Sequence, residues 1–371
     1  DQRQAFVSSS DIETDNVDKE IFEVSRLLTN KFNIPLIFDE IQEVHPRHLS
    51  RVVKLCNSLL KRGNCILVSR APLPSGIIGE SIRIEGLSVE SARMILGDRV
   101  DDELGLEIAS ALGGHPLALG LWSPDDSLPT SSDAVKSFVQ ETVLDHLDSE
   151  AEKTFDELAI SPIPINIEEI SNSDRVDDLD DRALIRWHSD RMEGQHLIEN
   201  VRKESWSEKH RQSLHSYLAD WWSSREGPRA RRIELHHRIG SNDSDLPSLL
   251  LSSLESINDQ IPSAAAILVE DALEQHPEHN GLRSAAARVA LDRAELDIAS
   301  EHIAKLPESP EKRLLNSQLL RIDGDLDKAN DMKSKVPGSG KMWSFEKMNH
   351  SIEEMKNLID RRVGDGDEIE V

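Results

Sequence analysis

The sequence predicts a multidomain fold: an α/β part containing a parallel sheet, followed by helical domains and a C-terminal α-solenoid. Two short apolar runs, residues 34–38 and 65–68, flank an amphipathic helix, and this strand–helix–strand order is typical of a parallel sheet. Beyond residue 88 a single hairpin interrupts an otherwise helical pattern. A 30-residue repeat then runs through the C-terminal part of the chain, as in helical solenoids.

The composition argues against several classes of protein. The 371 residues carry 43 Lys and Arg against 69 Asp and Glu, a formal net charge of −26. This negative charge argues against a protein that binds nucleic acid over its whole surface, because the phosphate backbone attracts positive charge. It is compatible with a local basic patch. No run of 18 apolar residues would span a membrane. Two cysteines make no disulfide framework, and the 14 histidines show no metal-ligand spacing. A cytoplasmic location is the simplest expectation.

The two predicted strands end in residues that carry chemistry. The first runs into Asp39 and Glu40, and the second runs into Ser69 and Arg70. Ligands bind at the carboxyl ends of parallel strands, so we expect both pairs to face one site. A strand-end Asp holds Mg²⁺, an adjacent Glu polarises a water molecule, and an Arg pairs with a γ-phosphate. Asp39, Glu40 and Arg70 are therefore the candidate catalytic residues, with Asp39 as the candidate metal ligand. The alternative is an acidic pair that only begins a loop.

The next region is predicted to form short helices with polar N-caps. Two helices cover residues 88–96 and 101–112. Gly113 and Gly114 end the second helix, and Pro116 suits the first turn of another.

Two further β segments are predicted. Ile82 and Ile84 alternate with polar neighbours and indicate one more short strand. A hairpin is predicted with strands at 184–187 and 195–198, joined by a turn at 190–194. Helices followed by one hairpin are typical of a winged-helix domain.

The C-terminal repeat is marked by prolines at 30-residue spacing: Pro277, Pro307 and Pro337. Ala299 and Ala329 share that spacing. Each unit reads as a helix, a tight turn, a second helix and a proline, which predicts stacked helix pairs. The expected turns within the pairs lie near Ala294 and Gly324.

The order of these motifs resembles the STAND class of signal-transducing P-loop ATPases. The resemblance rests on the strand ending in Asp39–Glu40, which is similar to a Walker-B element, on the strand ending in Ser69–Arg70, and on the Gly-His-Pro-Leu-Ala-Leu segment 114–119. In that class the Gly-x-Pro turn lies in a helical lid and its proline touches the nucleotide. The resemblance therefore implies that Gly114 and Pro116 bind the cofactor.

The resemblance also implies a role for His196. The segment Gln195-His196-Leu197-Ile198 is similar to a winged-helix segment of the class, in which the histidine approaches the diphosphate and holds the off state. The class often has an Asp after this histidine, whereas this chain has Leu197. The alternative is a histidine packed in a small core.

The resemblance divides the chain into five expected parts. They are a partial P-loop NTPase core at 1–87, a helical lid at 88–131, a winged-helix domain at 132–226, a tetratricopeptide-like helical repeat domain at 227–363, and a disordered acidic tail at 364–371.

The phosphate loop of the class is absent from these 371 residues. A Gly-x-x-x-x-Gly-Lys-Ser/Thr motif is required to cradle the phosphates. The lookalike at 338–341 has Met342 in place of the Ser or Thr and follows a repeat helix rather than a strand. The chain begins with Asp1, and residues 5–7 resemble the strand that precedes the Walker-B strand. We therefore expect the phosphate loop upstream of Asp1.

These features predict a nucleotide-regulated signalling ATPase switch. The resemblance implies a protein partner bound by the repeats and is compatible with assembly into a homo-oligomer. It implies ATP or ADP with Mg²⁺ as cofactors only if the phosphate loop lies upstream of Asp1. The residues leave open whether the nucleotide is hydrolysed or only bound. One alternative is a non-catalytic interaction scaffold with a degenerate ATPase module. Another is a winged-helix DNA-binding regulator that uses a basic cluster, which Glu226 and Glu234 interrupt: Arg225, Arg229, Arg231, Arg232, Arg238, His236 and His237.

Overall fold

The structure is a computed structural model that describes residues 36–39, 41–61, 65–69, 73–97, 100–123, 136, 138–336, 344, 348 and 351–352. Two compact units lie within it. The first falls within Asp1–Pro74, Glu226–Leu235 and Asn242–Val371, and the second within Ser75–Arg225 and His236–Ser241. Several predicted features lie outside the described residues: Glu40, Arg70, Pro337, the strand at 5–7 and the lookalike at 338–341.

The α/β part of the first unit begins with β1 (Leu36–Phe38), α1 (Pro46–Leu60) and β2 (Cys65–Leu67). β1 and β2 pair in parallel, which confirms the predicted strand–helix–strand order. Pro46 occupies the first turn of α1, where its fixed φ and missing N–H cost nothing. The sheet and helix share a small apolar core of Leu36, Leu55 and Leu59, flanked by Phe38 and Cys65.

The second unit starts with three short helices: α2 (Val89–Leu96), α3 (Asp102–Ala111) and α4 (Pro116–Leu121). The Ser88 hydroxyl caps α2 and the Asp101 carboxylate caps α3, as their polar side chains predict. The helices enclose an apolar core whose largest fully buried members are Leu96, Ile108, Leu112, Leu119 and Phe138.

The predicted strand at Ile82 and Ile84 is wrong. The described residues 73–88 contain no strand. Ile82 is 88% exposed and Ile84 is 90% exposed, so neither side chain has the buried face that an alternating pattern presupposes.

The second unit continues with a π-helical segment (Val139–Leu144), α5 (Ser149–Ile160), β3 (Ile165–Asn166), α6 (Val176–Asp181), β4 (Ile185–His188), β5 (Arg191–Gly194), α7 (His196–Ser205) and α8 (Glu208–Ser223). The strands form an antiparallel sheet in the order β3-β5-β4.

The predicted hairpin exists, but its second strand was placed too late. The turn is made by Ser189, with φ at +59°, and Asp190. The strand that follows is Arg191–Gly194, which lies within the range 190–194 predicted for the turn. In it Met192 is fully buried between two polar residues, so only one apolar side chain marks the strand. His196 consequently begins α7 rather than lying in a strand.

The remaining helices are α9 (Pro228–Gly240), α10 (Leu246–Gln260), α11 (Pro262–Gln275), α12 (Asn280–Asp292), α13 (Leu296–Lys305), α14 (Pro310–Asp323) and α15 (Leu326–Ser334). The two turns predicted from the repeat are confirmed: Ala294, with φ at +54°, joins α12 to α13, and Gly324, with φ at +96°, joins α14 to α15. Pro307 lies between the two helix pairs, also as predicted.

Small residues allow the helices of each pair to approach closely. Ala299 and Ala329, which are equivalent in the repeat, are both fully buried. The Ser317 hydroxyl donates to the Ala329 carbonyl oxygen at 2.8 Å and so joins α14 to α15. The first pair is sealed by an apolar cluster that includes Ala287, Leu291, Ile303 and Leu315.

Polar contacts within the first unit join α1 to the helices of the repeat region. Arg47, whose side chain is 7% exposed, pairs with Glu270 of α11 and with Glu295 at the start of α13. A ring nitrogen of His48 lies 3.1 Å from the Ser263 carbonyl oxygen. None of the helices in the described part of the chain is long and apolar enough to cross a lipid bilayer.

Candidate functional site

Asp39 and Ser69 lie at the same end of the β1–β2 pair. The Val68 amide donates to the Phe38 carbonyl at 2.8 Å, and the Ile41 amide donates to the Val68 carbonyl at 3.1 Å. These bonds keep the two chain segments side by side beyond the strands. Asp39 is exposed there, so its carboxylate offers oxygen ligands of the type that Mg²⁺ prefers. Glu40 and Arg70 lie outside the described residues.

The turn at Gly113 and Gly114 packs backbone against backbone. Both glycines have positive φ, +58° and +65°. The Leu87 amide donates to the Gly114 carbonyl at 2.9 Å. A Cβ on Gly114 would lie 2.3 Å from the Leu87 carbonyl oxygen, and one on Gly86 would lie 2.0 Å from the Gly113 carbonyl oxygen. Glycine is therefore required at Gly114 for two reasons, its left-handed conformation and this close approach.

Pro116 stands on the surface at the first turn of α4. The His115 ring caps the helix by accepting a hydrogen bond from the Ala118 amide at 3.4 Å. Ala118 and Leu119 are buried in the core, whereas Pro116 is exposed. The turn thus presents the proline ring on the surface of the second unit, where it is accessible to a ligand.

His196 belongs to a charged cluster centred on Glu193. Its Nε2 lies 3.4 Å from Glu193 Oε1. The same oxygen accepts a hydrogen bond from Arg186 Nε at 3.0 Å and lies 2.8 Å from His188 Nε2. Arg186 Nη2 also lies 3.3 Å from His196 Nε2. The histidine is therefore held in a polar cluster and is only partly buried, which argues against packing in an apolar core.

The cluster keeps Glu193 ionised. Burial acts to raise the pKa of Glu193, but hydrogen bonds from His196 and His188 and the charge of Arg186 outweigh it and lower the pKa to about 2. A second anion near His196 would compete with the Glu193 carboxylate for the hydrogen bond from the His196 ring.

The sequence-predicted site residues fall in both units. Asp39 lies in the first unit, and Gly114, Pro116 and His196 lie in the second. Gly114 and Pro116 share one turn, while His196 lies at the end of the hairpin. Their joint role in a nucleotide site stays a prediction.

Sequence reasoning identified His196 but missed Glu193, Arg186 and His188, which surround it. Arg186 and His188 lie two residues apart on β4 and so share one face of the strand. Glu193 on β5 is paired with Arg186 and lies on the same face. The correct two-residue turn would have placed these three side chains together, because residues at i and i+2 share one face of a strand.

Several residues of the predicted basic cluster make contacts with other groups of this chain. The Arg225 guanidinium lies 4.4 Å from the centroid of the Trp221 ring and donates to the Glu168 carbonyl at 2.8 Å. Two more arginines form ion pairs: Arg231 with Glu234, and Arg238 with Asp220. His237 is fully buried.

No protein-family model and no curated protein sequence matches this chain. Among solved structures, the chain is similar to the signal transduction ATPase with numerous domains (STAND) protein with a tetratricopeptide repeat sensor from Pyrococcus horikoshii, with 15% sequence identity and a TM-score of 0.46. The likeness covers 85% of this chain and 57% of that chain, so this chain spans little more than half of that protein's length. A TM-score at this level assigns neither a family nor an activity.

Proposed function

We propose that this chain is part of a nucleotide-regulated signalling switch of the STAND type, whose helical repeats bind a protein partner. The observation that carries the proposal is the parallel β1–β2 pair with Asp39 and Ser69 at the same end. Open parallel sheets bind their ligands at this end. The motifs downstream occur in the order that the STAND resemblance requires.

Each candidate residue has a role in this proposal. Asp39 holds Mg²⁺, Glu40 orients the attacking water if the nucleotide is hydrolysed, and Arg70 pairs with the γ-phosphate. Gly114 and Pro116 pack against the nucleoside. The exposure of Pro116 and Asp39 is compatible with these contacts.

The switch requires contacts that differ between the two nucleotide states. His196 would contact the diphosphate in the ADP state, while Arg70 would contact the γ-phosphate that only ATP carries. A ligand shifts a conformational equilibrium only by its differential affinity for the two states. Exchange of Glu193 for a diphosphate as the partner of His196 would supply part of that difference.

The repeats are the proposed partner-binding part. Stacked helix pairs form an extended surface that suits protein binding. Within the proposal, α5, α6 and the three-stranded sheet form a winged helix, since helices followed by a β-hairpin are typical of that domain. A DNA-binding role finds less support, because Arg225, Arg231 and Arg238 contact groups of the protein itself.

The proposal is tested by titrating a fluorescent ADP analogue, with Mg²⁺, into the 371-residue chain and into a longer form that carries a phosphate loop before Asp1. Each charge-assisted hydrogen bond to phosphate is worth about 1.5–3 kcal/mol, so loss of three lowers affinity by several powers of ten. We expect tight binding only by the longer chain.

Two variants of that longer chain sharpen the experiment. His196→Ala should weaken ADP binding by about tenfold, whereas His188→Ala, which removes the other histidine on Glu193, should leave it unchanged. Absence of ADP binding by the longer chain would exclude the switch and favour the interaction scaffold.

A further inference from the structure

Three imidazoles meet between α8 and α9 in the second unit. His215 lies on α8, and His236 and His237 are neighbours on α9. The Nδ1 atoms of His215 and His237 are 3.0 Å apart. The three ring centroids are separated by 5.2 to 5.6 Å, and one nitrogen of each ring lies within 4.8 Å of the others.

The helices are arranged so that these rings converge. Adjacent residues of an α-helix point about 100° apart, yet the rings of His236 and His237 both approach His215. Gly240 leaves the space that His215 needs, because an added Cβ would lie 2.4 Å from three atoms of that ring. A side chain at position 240 would displace the ring.

The cluster is not a self-sufficient hydrogen-bond network. The Nδ1 atoms of His215 and His237 share at most one hydrogen bond. His237 is fully buried, and its Nε2 has no hydrogen-bond partner among the described residues. A metal ion between the two Nδ1 atoms would take the lone pair of each ring in place of that shared hydrogen bond, and the proton of His237 would then be on Nε2.

Imidazole binds a metal ion in its neutral form, in which one ring nitrogen keeps a lone pair. Three such rings, with one nitrogen of each within 4.8 Å of the others, offer three donor nitrogens to one ion.

We propose that His215, His236 and His237 bind one divalent transition-metal ion, Zn²⁺ in particular, through one nitrogen of each ring. Imidazole nitrogen favours Zn²⁺ and its neighbours in the first transition row over Mg²⁺ and Ca²⁺. Tetrahedral Zn²⁺ with Zn–N bonds of about 2.0–2.1 Å has ligand nitrogens about 3.3–3.4 Å apart. The 3.0 Å contact is close to that spacing, and the longest separation needs to shorten by at most about 1.5 Å.

The site is independent of the proposed nucleotide chemistry. The ion would cross-link the last turns of α9 to the middle of α8, and a water molecule would complete its coordination. Sequence spacing did not reveal it, because His215 is 21 residues before the histidine pair and on another helix.

The test uses the purified chain after chelator treatment. Co²⁺, whose visible absorption reports tetrahedral nitrogen ligands, is titrated into the protein, and Zn²⁺ is then titrated by calorimetry. We expect one equivalent of Zn²⁺ with a Kd below about 1 μM, and a rise in Tm when Zn²⁺ is added.

Variants identify the ligands. His215→Ala and His237→Leu should each weaken binding by at least about 100-fold and abolish the Zn²⁺-dependent rise in Tm. His210→Ala, on the same helix but paired with Asp156, should leave both unchanged. Gly240→Ala keeps all three imidazoles and should weaken binding by displacing His215.

Circular dichroism of the metal-free variants controls for misfolding, and Gly240→Ala provides a second route if a histidine variant fails to fold. The proposal is overturned if the chain binds no stoichiometric Zn²⁺. It is equally overturned if Zn²⁺ binding survives the loss of His215 or His237 in a folded variant, because the ion would then lie elsewhere.

Discussion

Arg202 on α7 and Asp156 on α5 are joined by two parallel hydrogen bonds, from Nε to Oδ1 at 2.5 Å and from Nη2 to Oδ2 at 2.8 Å. The Asp156 side chain is only 4% exposed. His210 Nε2 lies 3.2 Å from the same carboxylate, and Glu152 pairs with the guanidinium from the solvent side. This ion pair fixes two helices of the second unit in register.

Arg202→Leu should destabilise the second unit by about 3–5 kcal/mol, because it leaves the buried Asp156 carboxylate without its main partner. Urea unfolding followed by circular dichroism measures the loss. Lys153→Leu removes an exposed ion pair on α5 and should leave the unfolding midpoint unchanged. Equal effects of the two substitutions would contradict the assigned role of the buried pair.

Acid should weaken the hairpin cluster through Glu193. Its folded pKa of about 2 lies below the unfolded value of 4.5, so the unfolded chain takes up the proton more readily. The stabilisation is complete above about pH 4.5 and is lost as the pH falls through about 2, a change of about 3 kcal/mol at most. Glu193→Gln should remove this component from the pH dependence of unfolding, whereas Glu204→Gln at an exposed ion pair should not. Identical curves for wild type and Glu193→Gln would show that the cluster does not stabilise the fold.

Alanine substitutions at Gly113 and Gly114 distinguish the cost of a left-handed backbone conformation from the cost of a steric clash. Gly113→Ala meets no atom within 4 Å, so it should cost only the left-handed penalty of about 1–2 kcal/mol. Gly114→Ala adds the collision with Leu87 and should unfold α2 to α4 or shift Tm substantially further. Thermal unfolding measures the difference, and similar Tm values for the two variants would refute the close approach.

Ala329→Leu should destabilise the repeat by about 1–3 kcal/mol, because the added atoms overpack the contact between α14 and α15. Lys328→Leu, at an exposed neighbouring position, should leave Tm unchanged. If both substitutions are harmless, Ala329 is not at a packed contact.

Partner binding by the repeats is best tested by removing only residues 308–336. Deletion of 263–336 would also remove Glu270 and Glu295, the partners of the buried Arg47 side chain, and so would damage α1. The shorter deletion should abolish partner capture in a pull-down while the secondary structure of the remaining helices is retained in circular dichroism. Capture that survives the deletion would place the binding surface elsewhere.

Local patterns predicted the parts of the fold that depend on local physics. β1 and β2 are recognisable as short runs of consecutive apolar residues, and the joints between helix pairs are marked by prolines at a regular spacing. Both predictions were confirmed. The predicted position of the second hairpin strand was wrong because Met192 is the one residue with a large apolar side chain in that strand. The contacts of Arg47 with Glu295 and of His215 with His237 join residues far apart in sequence, which no periodicity reports.

The 30-residue repeat has a consequence for how the length of this array can change. The helix pairs α12–α13 and α14–α15 carry equivalent turns, equivalent buried alanines and an equivalent proline joint. Because each pair packs mainly on its immediate neighbours, inserting a copy of one pair at Pro307 would recreate the contacts that already exist on either side. The number of pairs, and with it the span of the surface, can therefore vary by duplication while α1 keeps its docking contacts with Glu270 and Glu295.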